Sequence, residues 1–453
     1  MQKILLQKAA LVVVVLVVLA IPLQLIRGLV SERGARQHAM EAELASSSWG
    51  RQAMTGPLLV VPYVEEIDET TQGGRVVPGA RIERTLTLFP LRETHDGTAA
   101  VDVKTRGIFE VRTFEWRARI AGEFAGASVD TLERTRPDSR ITWGAPTLAI
   151  ILADPRGLSG TPHLVLNGQD VPLERGTTLA AAQSGLHARV PQWQPGQGGA
   201  LGYTLELAVH GTGTLAIVPL ATEARVAMRS AWAHAGFGGQ FLPDPASVER
   251  RTDGFAARWM VSALASNAQE QASGWLAARG SCRQIGCIDH LDVRFVEPID
   301  IYALSDRATK YGVLFIACTF VAFVLFELVR NLRIHPAQYL LVGLSQATFF
   351  LLLVALSEHV AFALAYAVAA MASIGVLAHY LSAVLGGLRR GLGFATLLGT
   401  LYAALYGLLV SEDNALLLGA LLVFALVAAM LVLTRRLDWY ALGREPTAAA
   451  GRE

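Results

Sequence analysis

The sequence predicts a membrane α + β protein with six transmembrane helices, one an N-terminal signal anchor and five C-terminal, and a large β-rich, sandwich-type domain between them. Three observations lead there. Five long apolar runs lie between residues 311 and 434, and the short loops joining them alternate in charge. Another apolar run covers residues 9–29. The stretch between has ordinary polarity and breaks into short alternating segments separated by turn residues.

The charge alternation sets the topology. Arg330 and Arg333 follow the run at 312–329, and Glu358 follows 337–356. Arg389 and Arg390 follow 360–384, Glu412 and Asp413 follow 392–410, and Arg435 and Arg436 follow 415–434. Basic residues are retained on the cytoplasmic side, so both termini are expected inside and the β-rich domain outside. Arg27, Arg307 and Lys310 flank the outer domain against that rule. Long segments translocate largely regardless of charge, which discounts them.

The first run follows Lys3 and Lys8 and has no Ala-x-Ala site after it. Its length matches the roughly 20 residues that cross a bilayer, not the shorter core of a signal peptide. It reads as an uncleaved anchor. The expected plan is a cytoplasmic N-terminus at 1–8, the anchor at 9–29 and a helical stalk at 30–53. A periplasmic β-rich domain follows at 54–310, with a possible division into two subdomains near 191–200. The plan closes with five helices at 311–434 and a cytoplasmic tail at 435–453.

Composition agrees. The chain of 453 residues is 52% hydrophobic and only 17% charged, which a soluble globular protein rarely combines. A formal net charge of +1, with no basic cluster carrying interleaved aromatics, gives no case for nucleic acid.

In the outer domain, Pro57–Val64, Ile82–Phe89, Val111–Ile120, Leu148–Ala153, His163–Leu166, Tyr203–Val209 and Thr214–Val218 read as strands. Asp154-Pro155-Arg156-Gly157, Asn167-Gly168 and Gly211-Thr212-Gly213 supply turn chemistry, the last two fitting hairpins. Cys282 and Cys287 lie in this domain, and in an oxidising compartment such a close pair reads as a disulfide. Free thiols are one alternative. Half of a zinc site with His290 is another, though two thiolates and one imidazole leave the ligand set incomplete.

Catalytic signatures are missing. There is no Gly-x-Ser-x-Gly, no His-Glu-x-x-His, no Gly-x-x-x-x-Gly-Lys and no nucleotide fingerprint. No catalytic, cofactor-binding or metal-ligating residue is assigned, and a non-enzymatic protein without a cofactor is expected. The densest aromatic patch runs from Trp232 through Phe237 to Phe241. It fits core packing at a Gly-rich turn, and, as the functional alternative, a binding groove for glycan, lipid headgroup or peptide.

In the membrane runs the ionisable side chains sit near the ends. Mid-run positions hold neutral groups such as Thr319, Ser345, Gln346, Ser373 and Thr400. That counts against an ion-coupled carrier, which needs a charged site at depth. Two stripes of small residues, Ala365/Ala369/Ser373 and Gly399/Ala403/Gly407, predict close helix contacts. At the outer rim, Ser357-Glu358-His359 and Ser411-Glu412-Asp413 end two runs on the same side. Loop caps that obey the charge rule account for them. The functional alternative gathers Glu358, His359, Glu412 and Asp413 beneath the outer domain to dock it or to bind a cation.

Several segments are similar to one family. They include Glu297-Pro298-Ile299-Asp300-Ile301-Tyr302, His335-Pro336-Ala337-Gln338-Tyr339, Leu356-Ser357-Glu358-His359, Ser411-Glu412-Asp413 and Asp438-Trp439-Tyr440. Arg106-Gly107-Ile108-Phe109-Glu110-Val111 and the Trp232/Phe237/Leu242-Pro243 segment add to them. Over nearly its whole length the chain resembles the CreD family of bacterial inner-membrane proteins. The Cys282/Cys287 pair is not part of that pattern. The resemblance implies a role in envelope integrity, linked to colicin tolerance, to the β-lactam response and to a carbon-source-responsive two-component system. It implies no catalytic residue. The expected partners are the lipid bilayer and an unknown periplasmic protein, lipid or cell-wall component. The alternative is a transporter or flippase of an amphipathic envelope lipid or cell-wall precursor, which needs a polar cavity near Ser345, Gln346 and Thr400. A hydrolase using the rim carboxylates with a metal is a third.

Overall fold

The computed structural model describes residues 2–47, 49–68, 70–72, 75–77, 79–106, 109–126, 132–191, 193, 199–277, 285–296, 301–330, 334–384, 387–411 and 414–435. The chain forms two compact units, one of residues 1–38 with 299–453 and one of residues 39–298.

The first unit is helical. Helix α1 runs unbroken from Gln2 to Ser47, so the apolar anchor and the polar stretch after it are one helix. At a rise of 1.5 Å per residue it is about 69 Å long, more than twice a hydrocarbon core. After α2 (Ala268–Leu276), which belongs to the other unit, come α3 (Ile301–Arg330), α4 (Pro336–Ser357), α5 (Phe362–Val384), α6 (Leu388–Val410) and α7 (Ala415–Thr434). Among the described residues five helices, the anchor helix α1 included, have the length and apolarity to cross a membrane, and α7 adds a shorter apolar stretch, Leu417–Val432. With the anchor counted, these are the six expected spans.

Aromatic side chains fill the centre of this bundle. Tyr402 of α6 packs on Phe315 of α3 at 4.6 Å between ring centroids and on Phe349 of α4 at 4.7 Å. Its hydroxyl lies 2.8 Å from Ser373 Oγ, and its carbonyl accepts the Tyr366 hydroxyl at 2.7 Å. Ala365 and Ala369 on the same face of α5 are fully buried, as the small-residue stripe predicts. The α6 stripe behaves otherwise. Ala403 and Gly407 are exposed, and a Cβ at Gly407 would meet nothing within 4 Å. The buried face of α6 is instead Phe394, Leu398, Tyr402, Leu405 and Leu409, whose larger side chains bury more apolar surface.

The second unit is β-rich, as expected, with two large mixed sheets packed face to face. The nine-stranded sheet has Gln52–Ile67 at its centre, and the eight-stranded sheet is built around Leu201–Thr212, Phe109–Phe124 and Arg92–Arg106. Both contribute to one core, with Leu59, Val61, Ile150 and Ile217 from the first and Phe114, Trp116, Leu205 and Trp259 from the second. The run Pro57–Val61 is apolar at successive positions because the strand is buried on both sides there. Leu59 and Val61 face the shared core, while Leu58 and Val60 join a second cluster with Ala268, Ala272 and Trp275 of α2. A register shift between Thr55 and Leu58 accommodates Pro57 in this central strand.

Turn chemistry predicts some connections and misses others. Asn167 and Gly168 both have positive φ and close a hairpin that pairs Gln169 with Leu166. Gly213 does not close a hairpin. The strand before it, Leu201–Thr212, lies in the eight-stranded sheet, and the one after it, Thr214–Val218, lies in the nine-stranded sheet. Gly213 therefore carries the chain across the sandwich. Strands on either side of residues 191–200 share both sheets.

One buried polar row is built around a glycine. Glu93, Gly122 and Tyr203 are register partners on adjacent strands. With no side chain at Gly122, the Tyr203 hydroxyl crosses the middle strand and donates to Glu93 Oε1 at 2.7 Å. Burial beside that carboxylate pushes the phenol well above its usual range.

Candidate functional site

Sequence places Glu358 at the end of α4, and the fold surrounds it with two partners. Arg33 of α1 brings its Nε to 3.6 Å from Glu358 Oε1. Tyr302, in the first turn of α3, donates its hydroxyl to the same oxygen at 3.2 Å. The Glu358 side chain is 11% exposed, so its charge is held mostly away from solvent. Ser357 beside it is buried and bonds back to Val354 O within its own helix. His359 is exposed. Glu412 and Asp413 lie outside the described residues.

A second ion cluster lies on α1 and α3. Asp306 Oδ1 pairs with Arg27 Nε at 3.2 Å, and Asp306 Oδ2 pairs with Lys310 Nζ at 2.6 Å. Two of the basic residues that offend the charge rule, Arg27 and Lys310, are thus bound to a carboxylate on α3. Arg33 and Tyr302 are the residues that sequence reasoning missed here. An Arg on a polar stalk carries no local signal, and its partner lies 325 positions away.

These contacts matter because of where they sit in the chain. The β-rich unit is inserted between α1 and α3. Glu358 bonds both helices at once and ties them to α4. Its geometry suits a lock between the two tethers of the inserted unit.

The helices' polar interior is less suggestive of a pathway. Gln346 is fully buried and donates to Thr319 Oγ1 at 2.7 Å. Ser345 is half-buried, and Thr400 is exposed, bonding Thr396 O of its own helix. The three groups proposed for a shared cavity differ in surroundings accordingly. Glu327, 5% exposed, accepts from Tyr339 OH at 2.9 Å and from the Ile334 backbone N–H at 3.3 Å, closing the turn between α3 and α4. His335 caps α4 and forms a reciprocal capping box with Gln338, which explains the His-Pro-Ala-Gln segment.

In the β-rich unit the aromatic patch is half-buried. The Phe237 ring meets Phe255 and Trp259 edge to face at 5.5 and 5.6 Å, and the Arg250 guanidinium lies 5.4 Å from its centroid. Trp232 donates its indole N–H to Val296 O at 3.2 Å. Phe241 packs on two core clusters. Cys287 is disulfide-bonded, while Cys282 lies outside the described residues.

Glu65 is a buried carboxyl whose pKa is strongly perturbed. Burial pushes its pKa up. The Ser139 and Thr135 hydroxyls and the backbone N–H groups of Thr135 and Arg136 outweigh that and hold it down to about 2. It fastens the 133–139 segment to the central strand and has the character of a structural staple.

Two comparisons bear on the chain as a whole. A family model described as "Inner membrane protein CreD" matches residues 4–440. The inner membrane protein CreD of Escherichia coli (strain K12) is 34% identical over 430 residues, covering 93% of this chain and 91% of that protein. With its apolar helices and two-sheet unit matched almost end to end, the chain belongs to the CreD family of inner-membrane proteins.

Proposed function

We propose that this protein supports the integrity of the cell envelope without catalysing a reaction. In this reading its β-rich unit is periplasmic, its termini are cytoplasmic, and the unit acts by binding a periplasmic protein, lipid or cell-wall component. Tolerance of colicins and β-lactams follows from an intact envelope. The observation that carries the proposal is the Arg33–Glu358–Tyr302 cluster. It joins the two helices that bracket the β-rich unit, so an event in that unit reaches the bundle through a fixed point. The alternating loop charges support the sidedness.

Cells lacking the protein test this directly. They are expected to become more sensitive to detergent and colicin, and the complete chain to restore them. Substitution of Glu358, His359 or Glu412 by neutral residues should leave the protein level unchanged and remove the rescue. If all three variants rescue fully, the rim is structural only. Reporter fusions after Glu453 and within the β-rich unit check the sidedness, since alkaline phosphatase works only outside the cytoplasm.

A further inference from the structure

The β-rich unit holds a cavity of about 460 Å³ at one edge of the two-sheet stack. It lies between the outermost strand of each sheet, Gln169–Val171 in the eight-stranded sheet and Glu174–Arg175 in the nine-stranded one. That volume falls in the range of about 300–1,000 Å³ that small-ligand sites occupy.

The walls are pre-formed. Asn167 and Gly202 bond each other in both directions, the Asn167 N–H to Gly202 O at 2.9 Å and the Gly202 N–H to Asn167 Oδ1 at 2.8 Å. This pins the hairpin turn to the neighbouring strand. On the other wall, Glu174 is the register partner of His187, whose Nδ1 lies 2.8 Å from Gly176 O. The Trp193 indole is 4% exposed and donates to Gly199 O at 3.2 Å, so it is wall rather than stacking platform.

Polar groups of the lining already contact one another or a neighbour. Arg189 Nε lies 3.5 Å from Glu174 Oε1, and Asp170 Oδ1 lies 2.9 Å from His163 Nε2. A charged ligand would compete with the Arg189–Glu174 pair. What remains is a set of planar hydrogen-bonding groups: the Gln169 amide, two carboxylates and the Arg189 guanidinium. Each offers two neighbouring donors or acceptors, the arrangement that adjacent hydroxyls need. Pro172 and Pro191 add flat apolar surface among them.

We propose that this cavity binds an uncharged oligosaccharide. Gln169, Asp170, Glu174 and Arg189 take its hydroxyls, and Pro172 and Pro191 meet its C–H faces. The proposal rests on the reading of the β-rich unit as a periplasmic binding domain and names the chemistry of what it binds. Two sources share that chemistry: glycan built of N-acetylated sugars, as in cell-wall strands, and plain glucans.

The test is calorimetric titration of the full-length protein in lipid nanodiscs, which avoids sugar-headed detergent. The probes are triacetylchitotriose and cellotriose. Saturable binding of at least one is expected, and it should change little with salt because no net charge is neutralised. Preference for triacetylchitotriose points to wall-type glycan, and preference for cellotriose to glucan. Gln169→Ala and Arg189→Met should each weaken binding at least tenfold with an unchanged melting temperature. Gln169 is exposed on an edge strand, so its variant keeps the fold even if Arg189→Met does not. No binding of either sugar at millimolar concentration, or equal binding by wild type and Gln169→Ala, overturns the proposal. Such a result leaves the envelope reading standing if cells lacking the protein still lose their barrier. An intact barrier in those cells, with sugar bound in vitro, removes the envelope reading and keeps the site.

Discussion

Gly343 of α4 lies directly against Leu19 of α1, so close that a Cβ at Gly343 would overlap Leu19 Cδ1. Leu19 is 1% exposed and belongs to the same cluster as Phe320 and Phe350. The anchor is therefore a packed member of the bundle. Gly343→Ala is expected to cost about 1–3 kcal/mol through overpacking, since Leu19 must shift within a filled core. Gly343→Leu should expel α1 from its seat. Thermal unfolding of the purified protein checks both, with the larger residue giving the larger loss.

The same argument applies in the β-rich unit at Gly122. A Cβ there would lie 2.5 Å from the Tyr203 hydroxyl and 2.5 Å from Arg92 O. The second contact is with backbone, which cannot move aside. Gly122→Ala should destabilise the sandwich more than Tyr203→Phe. The Phe variant removes the donor to Glu93 Oε1 and leaves that buried acceptor short of a partner, a cost of about 1–3 kcal/mol. Protease resistance of the full chain would rank the two.

Glu65 makes stability depend on acid. Its folded pKa of about 2 lies below the ordinary value of 4.5. The folded state therefore favours the ionised form. The stabilisation is complete above the ordinary value and is lost as pH falls from about 4.5 towards 2. Glu65→Gln should lower the melting temperature at pH 7 and shrink its further fall in that acid window. A wild type and variant with parallel acid profiles would remove Glu65 from the account.

The legibility of this chain follows the range of each interaction. Spans and loop charges are local, so six apolar helices are readable from composition alone. Asn167-Gly168 is likewise local, because both residues supply the positive φ that its hairpin turn needs. Pairings across long separations leave no such trace. The strand Gln52–Ile67 runs parallel to Thr214–Val218, and Arg92–Arg106 runs parallel to Glu223–Ser230. Helix α2 was also hidden, being only 9 residues long with a Gly inside. Its buried residues, Ala268, Ala272 and Trp275, make a face only against residues distant in sequence, among them Leu58, Val60 and Ile151. Of the candidate site, Glu358 was readable from the charge of its loop. Nothing local marks Arg33 and Tyr302 as its partners, because only the packing of α1 and α3 brings them there. The Gly399/Ala403/Gly407 spacing predicted a contact that larger side chains on another face of α6 make instead.

The measurement that most directly tests the central claim is a charge swap at Arg33 and Glu358. Their ion pair at 3.6 Å, with Tyr302 on the same carboxylate, is held to couple the two tethers of the β-rich unit. Arg33→Glu and Glu358→Arg should each lower the melting temperature of the purified protein and fail to restore the envelope barrier in cells lacking it. The double variant should recover much of both, with a coupling energy of about 0.5–3 kcal/mol between the sites. Additive losses in the double variant, or single variants that restore the barrier in full, would contradict the account.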